Sequence, residues 1–201
     1  MRKILVGHPV ILGFVVLSAS SGLPALAGIE ATAAKSLTIQ PVGPRAGEPG
    51  SRYFNIEGVR NERYASFGVL VFQLPKDPDP KGDVANLSLR LIQSIPRFAK
   101  DGKIRFLLAG PSDQGSDSLT GLKFDPNSPD GLGKGAFQAV HGLGSGTFTQ
   151  VRTGQADTFN LTPDEAGQRY LRGRLKAGGA IWIVVVPDDE DVPATDFGSD
   201  S

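Results

Sequence analysis

Five carboxylates crowd into ten residues late in this chain, in PDDEDVPATD: Asp188, Asp189, Glu190, Asp191 and Asp196. Hard oxygen donors at that spacing suit Ca²⁺ rather than a transition metal, and Asp188, Asp189 and Asp191 are the candidate ligands of a structural calcium, with no other cofactor expected. The competing reading is a solvated acidic loop. Asp77, Asp79 and Asp83 in DPDPKGD pose the same choice. Neither group matches an EF-hand loop, which needs a glutamate at position twelve.

A second chemistry is offered by RYFNIEGVRNERYASF, which sets Tyr53, Phe54, Tyr64 and Phe67 among Asn55, Arg60, Asn61 and Arg63. Aromatic faces with polar neighbours can stack on sugar rings and hold their hydroxyls, so Tyr53, Tyr64, Asn55 and Asn61 form a candidate carbohydrate site. Against this, Phe54 and Phe67 read as core residues, with only the tyrosines partly exposed. A third chemistry, glycan cleavage, needs two carboxylates facing one cleft about 5 to 10 Å apart. Glu57, Glu62, Asp125, Asp157, Glu165 and Glu190 are available, but no motif pairs them.

The chain begins with a basic head, Arg2 and Lys3. An apolar middle, ILVGHPVILGFVVL, and a small-residue tail ending in Ala25-Leu26-Ala27 follow. This is the layout of a secretory leader cut after Ala27. The apolar part is interrupted by His8, Pro9 and Gly13 and falls short of the ~20 residues of a spanning helix, so no membrane span is expected after leader removal. The expected location is outside the cytoplasm: extracellular, periplasmic or cell-surface.

Loss of residues 1–27 would leave His141 as the sole histidine, with no methionine or cysteine, and 19 of the 21 basic side chains against 21 acidic ones, a net of −2. That balance argues against a nucleic-acid partner, which needs a basic face to displace counterions. Thiolate, CxxC redox and multi-histidine zinc chemistry lack their residues. A serine triad would rest on His141 in AVHGLGSGTFT. There the glycines read as a turn and the histidine as an exposed loop residue, and neither a G-x-S-x-G elbow nor a phosphate loop is present.

The elements that must position these groups are short. The 26 glycines and 15 prolines cut the chain into apolar runs: KSLTIQPVG, SRYFNIEG, YASFGVLVFQL, VANLSLRLIQS, GKIRFLLAG, one or two strands in TFTQVRTGQADTFNLT, and AIWIVVV. At most one short strand is expected around Leu122 to Phe124. One helix stands out, over 163–177: Thr162 reads as its N-cap, with Pro163 at the first position and Glu165 completing a capping box. Ala166, Tyr170, Leu171 and Leu175 lie on one side, Arg169, Arg172, Arg174 and Lys176 form a charged outer face, and Gly178-Gly179 stop the helix. Many short strands with one helix predict an all-β fold, an antiparallel, jelly-roll-like β-sandwich in which the helix is a crossover. Its core should contain Val69, Val71, Leu87, Leu89, Leu91, Ile104, Phe106, Leu171, Ile183 and Val185, with Trp182 packed rather than displayed. The expected layout is a leader over 1–27, a flexible lead-in over 28–35 and a single sandwich over 36–201.

The order FGVLVFQLP, VANLSLRLIQ, GKIRFLLAG, FNLT with its helix, and AIWIVVV resembles the DNRLRE-type secreted β-sandwich domains of bacteria. The family's patterns fall on Leu70 and Phe72, on Ala85, Leu87 and Leu89, and on Asn160, Leu161 and Thr162. Asn160 stands where that family often has aspartate, and the Asp-Asn-Arg-Leu-Arg-Glu motif itself is absent. The resemblance implies a non-catalytic module that binds polysaccharide or serves cell-surface or extracellular-matrix adhesion. The alternatives are a purely structural envelope protein and a glycan-active hydrolase or lyase. Members of that family usually carry a further apolar strand after the one matched by AIWIVVV, whereas PATDFGSDS is polar. The expectation is an unpaired sheet edge, open to self-association or to another envelope protein.

Overall fold

A computed structural model of the chain describes residues 13–19, 29–45, 53–77, 84–92, 101–110, 119–137, 140–149, 156–188, 190 and 195–198. The strands are β1 (Gly13–Ala19), β2 (Ile29–Gln40), β3 (Gly43–Pro44), β4 (Tyr53–Ile56), β5 (Phe67–Leu74), β6 (Val84–Ile92), β7 (Gly102–Ala109), β8 (Val140–Phe148), β9 (Ala156–Leu161), β10 (Gly179–Pro187) and β11 (Thr195–Gly198), with one helix, α1 (Glu165–Ala177). The main path runs β8-β7-β10-β5-β2-β1-β6-β9, and β4 and β11 form a separate pair. All of these pairings are antiparallel.

The result is a sandwich-like all-β fold in which β2 joins the layers. Its first residues, Ile29–Thr32, pair with β1, and its later ones, Ala33 to Ile39, with β5 across a bulge between Ala33 and Lys35. Leu70 and Phe72 of β5, Ile104, Phe106 and Leu108 of β7, and Ile181, Ile183 and Val185 of β10 face Leu87, Leu89 and Leu91 of β6 and Phe159 and Leu161 of β9. Alternation along each strand turns the remaining side chains of the larger layer outward. There Val69, Val71, Leu107, Trp182 and Val184 are also buried, because Leu122, Phe124, Leu132 and Phe137 from 119–137 lie over them. This second apolar face explains why β5 and β10 read as continuous apolar runs. All ten expected core residues are buried, and Trp182, 7% exposed, packs against Phe137 with ring centres 5.9 Å apart.

The helix closes one end of the inner core through Leu171 and Leu175. Its cap differs from the expected one: Asp164, not Thr162, is the N-cap, its Oδ1 accepting from the Gly167 N–H at 2.6 Å. The Thr162 N–H is instead donated to the Leu143 carbonyl at 3.1 Å, which holds the backbone extended up to Pro163. The helix ends at Gly178 and Gly179, with φ of +77° and +101°. Asp164→Ala is expected to lower stability by about 0.5–2 kcal/mol, read from urea denaturation, whereas Thr162→Ala should cost less.

Three segments depart from expectation. VHGLGSGTF, Val140–Phe148, is strand β8 rather than a turn. Phe106 pairs with Gly144 and Leu107 with Gly142, so Leu143 is the extra residue of a bulge at which Gly144 adopts φ +113°. A Cβ on Gly146 would lie 2.3 Å from the Phe159 ring, so glycine there lets two strands of different layers approach. The lead-in over 28–35 falls largely within β2, its alanines giving no apolar alternation while its neighbours supply the ladder. Residues 13–19 from the expected leader form β1, where Phe14, Val15 and Val16 are good strand formers. The expectation of at most one short strand around Leu122 to Phe124 is met by a 3-10 turn, Leu119–Gly121, and a single bridge from Phe124 to Leu132.

Candidate functional site

The connection from β4 to β5 carries the most exposed large aromatic side chain among the described residues, Tyr64 at 52%. Its base is clamped by a bridge in which the Glu57 and Ser66 N–H groups donate to each other's carbonyls at 3.1 and 3.0 Å. Beneath the bridge sits a buried polar group. The Ser66 hydroxyl donates to Asn55 Oδ1 at 2.8 Å, and the Asn55 N–H donates to Thr38 Oγ1 at 3.0 Å. Above it a 3-10 turn, Val59–Tyr64, is broken at Glu62, with φ 49° and ψ −111°. A non-glycine residue in that region stores strain, of order 1–3 kcal/mol, that the clamp must hold.

Past the break, the Arg63 guanidinium stands 4.5 Å from the centre of the Tyr64 ring and donates to its hydroxyl. Arg60 from the same turn donates its N–H to the Glu190 carbonyl at 3.2 Å and places Nε 3.5 Å from the Glu190 carboxylate. The aromatic turn and the start of the acidic segment are therefore neighbours, a proximity that their wide separation in sequence conceals.

The sequence-derived sugar candidates divide. Tyr64 is exposed and Asn61 half-buried on the turn, while Asn55, 7% exposed, is committed to the core with its amide oxygen engaged by Ser66. Tyr53 begins β4, its side chain outside the described residues. Phe54 and Phe67 are fully buried. Asn55→Ala should act on folding rather than on any surface ligand, costing about 1–3 kcal/mol because Ser66 loses its buried partner; a urea midpoint measured beside ligand binding separates the two effects.

Of the calcium candidates, Asp188 is exposed and donates its N–H to the Lys103 carbonyl at 3.2 Å; Asp189 and Asp191 lie outside the described residues. Among the described residues no three His, Cys, Asp or Glu side chains converge as an ion site. Several carboxylates considered for cleavage have other partners: Glu165 with Arg169 at 3.7 Å, Glu190 with Arg60, and Asp125 accepting from the Asn127 N–H at 2.9 Å. His141, expected in an exposed loop, is half-buried in β8, its ring centre 5.4 Å from that of Tyr170 on α1.

An open cleft of about 320 Å³ was not anticipated. Lys123 and Lys134 line it together with Gly121, Gly133 and Gly135, in the segment covering the outer face. The glycine-flanked lysine in GLGKGAF is its only mark in the sequence.

The fold and the turn together define a sandwich-like β-domain displaying an aromatic-cationic loop between β4 and the interior strand β5. The chain matches no family model and no curated protein sequence. No helix among the described residues is long and apolar enough to cross a membrane.

Proposed function

We propose that the chain is a secreted, non-catalytic β-sandwich module of the DNRLRE type that binds polysaccharide in a cell-surface or extracellular setting. The observation that carries this reading is the Tyr64 ring, half in solvent, backed by Arg63 on a strained turn whose base is clamped to β5. An aromatic ring fixed in this way offers a stacking surface at little conformational cost, while Asn61, Arg60 and Arg63 supply polar groups around it. Affinity gel electrophoresis over a panel of neutral and acidic polysaccharides tests the reading. The wild-type chain should be retarded, and Tyr64→Ala should weaken retention by about tenfold without lowering the melting temperature. Equal retention of the variant removes Tyr64 from the site. No retardation on any polysaccharide favours a purely structural envelope role.

A further inference from the structure

β1 lies between β2 and β6, and its residues are those that the sequence assigns to the apolar middle of a leader removed after Ala27. Along β6 it pairs from Leu91, opposite Gly13, to Val84, opposite Ala19; along β2 it pairs with Ile29 to Thr32. Cleavage after Ala27 would take β1 away and leave both neighbours. β6 would still be held on its other side by β9, and the later part of β2 by β5. What remains is a slot one strand wide beside β6, with backbone donors and acceptors unpaired along β6 from Val84 to Leu91; across it, Ile29–Thr32 are paired among the described residues with β1 alone and become the start of the cleaved chain. Leu87 and Leu89, opposite Leu17 and Val15 in register, are fully buried core residues. Cross-strand neighbours share a face, so a strand filling the slot needs apolar residues at those two positions.

We infer that, in the mature chain, this slot accepts an extended segment donated by another polypeptide: seven or more uncharged, apolar residues running antiparallel to both β2 and β6. The inference rests on the reading of residues 1–27 as a removable leader. The occupant's chemistry follows from GFVVLSA, the segment that fits the slot here. A second mature copy is a poor donor, because it has also lost residues 13–19 and the apolar strands β5, β7 and β10 are sheet interior. Main-chain pairing supplies the binding and the alternating apolar positions the selectivity, as in other strand-addition complexes.

The test uses the full chain expressed in a secreting bacterium and recovered outside the cytoplasm. Intact mass gives the amino terminus. Because the chain has no cysteine, Ser88→Cys introduces a single thiol opposite position 16, and Arg90→Cys one opposite position 14. Synthetic peptides spanning residues 13–19 then carry Val16→Cys or Phe14→Cys. With the peptide thiols supplied as pyridyl disulfides, the protein thiol attacks and thiopyridone leaves; the matched pairs should form mixed disulfides about tenfold faster than the mismatched ones. The unmodified peptide should raise the melting temperature of the wild-type secreted chain by about 5 to 10 °C at a hundredfold excess over its Kd, and a Val15→Asp, Leu17→Asp peptide should not. A retained leader would show in the mass, overturning the leader reading and this inference together. A mature mass with neither register preference nor thermal shift overturns the inference alone. A dimer mass in light scattering, with disulfide crosslinks between two chains of the Ser88→Cys variant, assigns the slot to a second copy and overturns the heterologous donor.

Discussion

Gly131→Val is expected to destabilise the protein by about 3 kcal/mol or more, by forcing a β-branched residue into a left-handed conformation and against a buried ring. Gly131 has φ +74°, and a Cβ there would lie 2.1 Å from the Phe124 ring. Phe124 cannot yield easily: it is 2% exposed, tilted against Phe67 at 6.3 Å, and its N–H is tied to the Gln40 carbonyl at 3.1 Å. The Asp125 N–H donates to the Gly131 carbonyl at 2.8 Å, so the same residue also closes the loop. Displacing Phe124 lifts the 119–137 cover from the outer face, where Trp182 lies. As the chain's single tryptophan, Trp182 reports the event. Its emission should shift to the red in the variant before global unfolding, together with a lowered denaturation midpoint. An unchanged emission maximum and midpoint would show that the cover does not depend on Gly131.

Phe106→Ala is expected to cost about 3–5 kcal/mol, a large part of the roughly 5–15 kcal/mol that holds a typical domain folded. Phe106 is fully buried on β7, and its ring centre lies 4.8 Å from that of Phe159 on β9, so it bridges the two layers. It also faces Gly144 at the β8 bulge, where no side chain can swing in to fill the space. Equilibrium urea denaturation should show the loss in full, and Phe106→Leu, which keeps most of the volume, should recover more than half of it. A loss below about 1 kcal/mol for the alanine variant would mean that the layers do not meet at this ring.

Residues with strong periodic or apolar patterning were legible in the sequence. Leu87, Leu89 and Leu91 announced β6 by alternation. The run from Ile181 to Val186 announced β10, although not that both its faces are covered. Strand β8 was hidden because Gly142, Gly144 and Gly146 remove the apolar signal; Gly144 is required by its φ of +113° at the bulge and Gly146 by the Phe159 ring. β11, Thr195–Gly198, was hidden because it is polar and pairs only with the short β4. At the candidate site, Tyr64 was legible by type and company. The inward role of Asn55 was not, because it depends on Ser66, well along the chain, and on Thr38 from a distant strand. The proximity of Arg60 to Glu190 was invisible for the same reason: it is made by tertiary packing and has no local periodicity.

Binding without turnover is tested by measuring both on one panel. The purified chain is incubated with each polysaccharide, retention is read by affinity gel, and released reducing ends or unsaturated products are read from the same mixtures. Retention on at least one polysaccharide is expected, reduced in Tyr64→Ala, with product release no faster than in the protein-free control. Release that scales with protein concentration and is lost on replacing a carboxylate such as Glu57 or Asp157 would contradict the non-catalytic reading and make the protein a glycan-active enzyme.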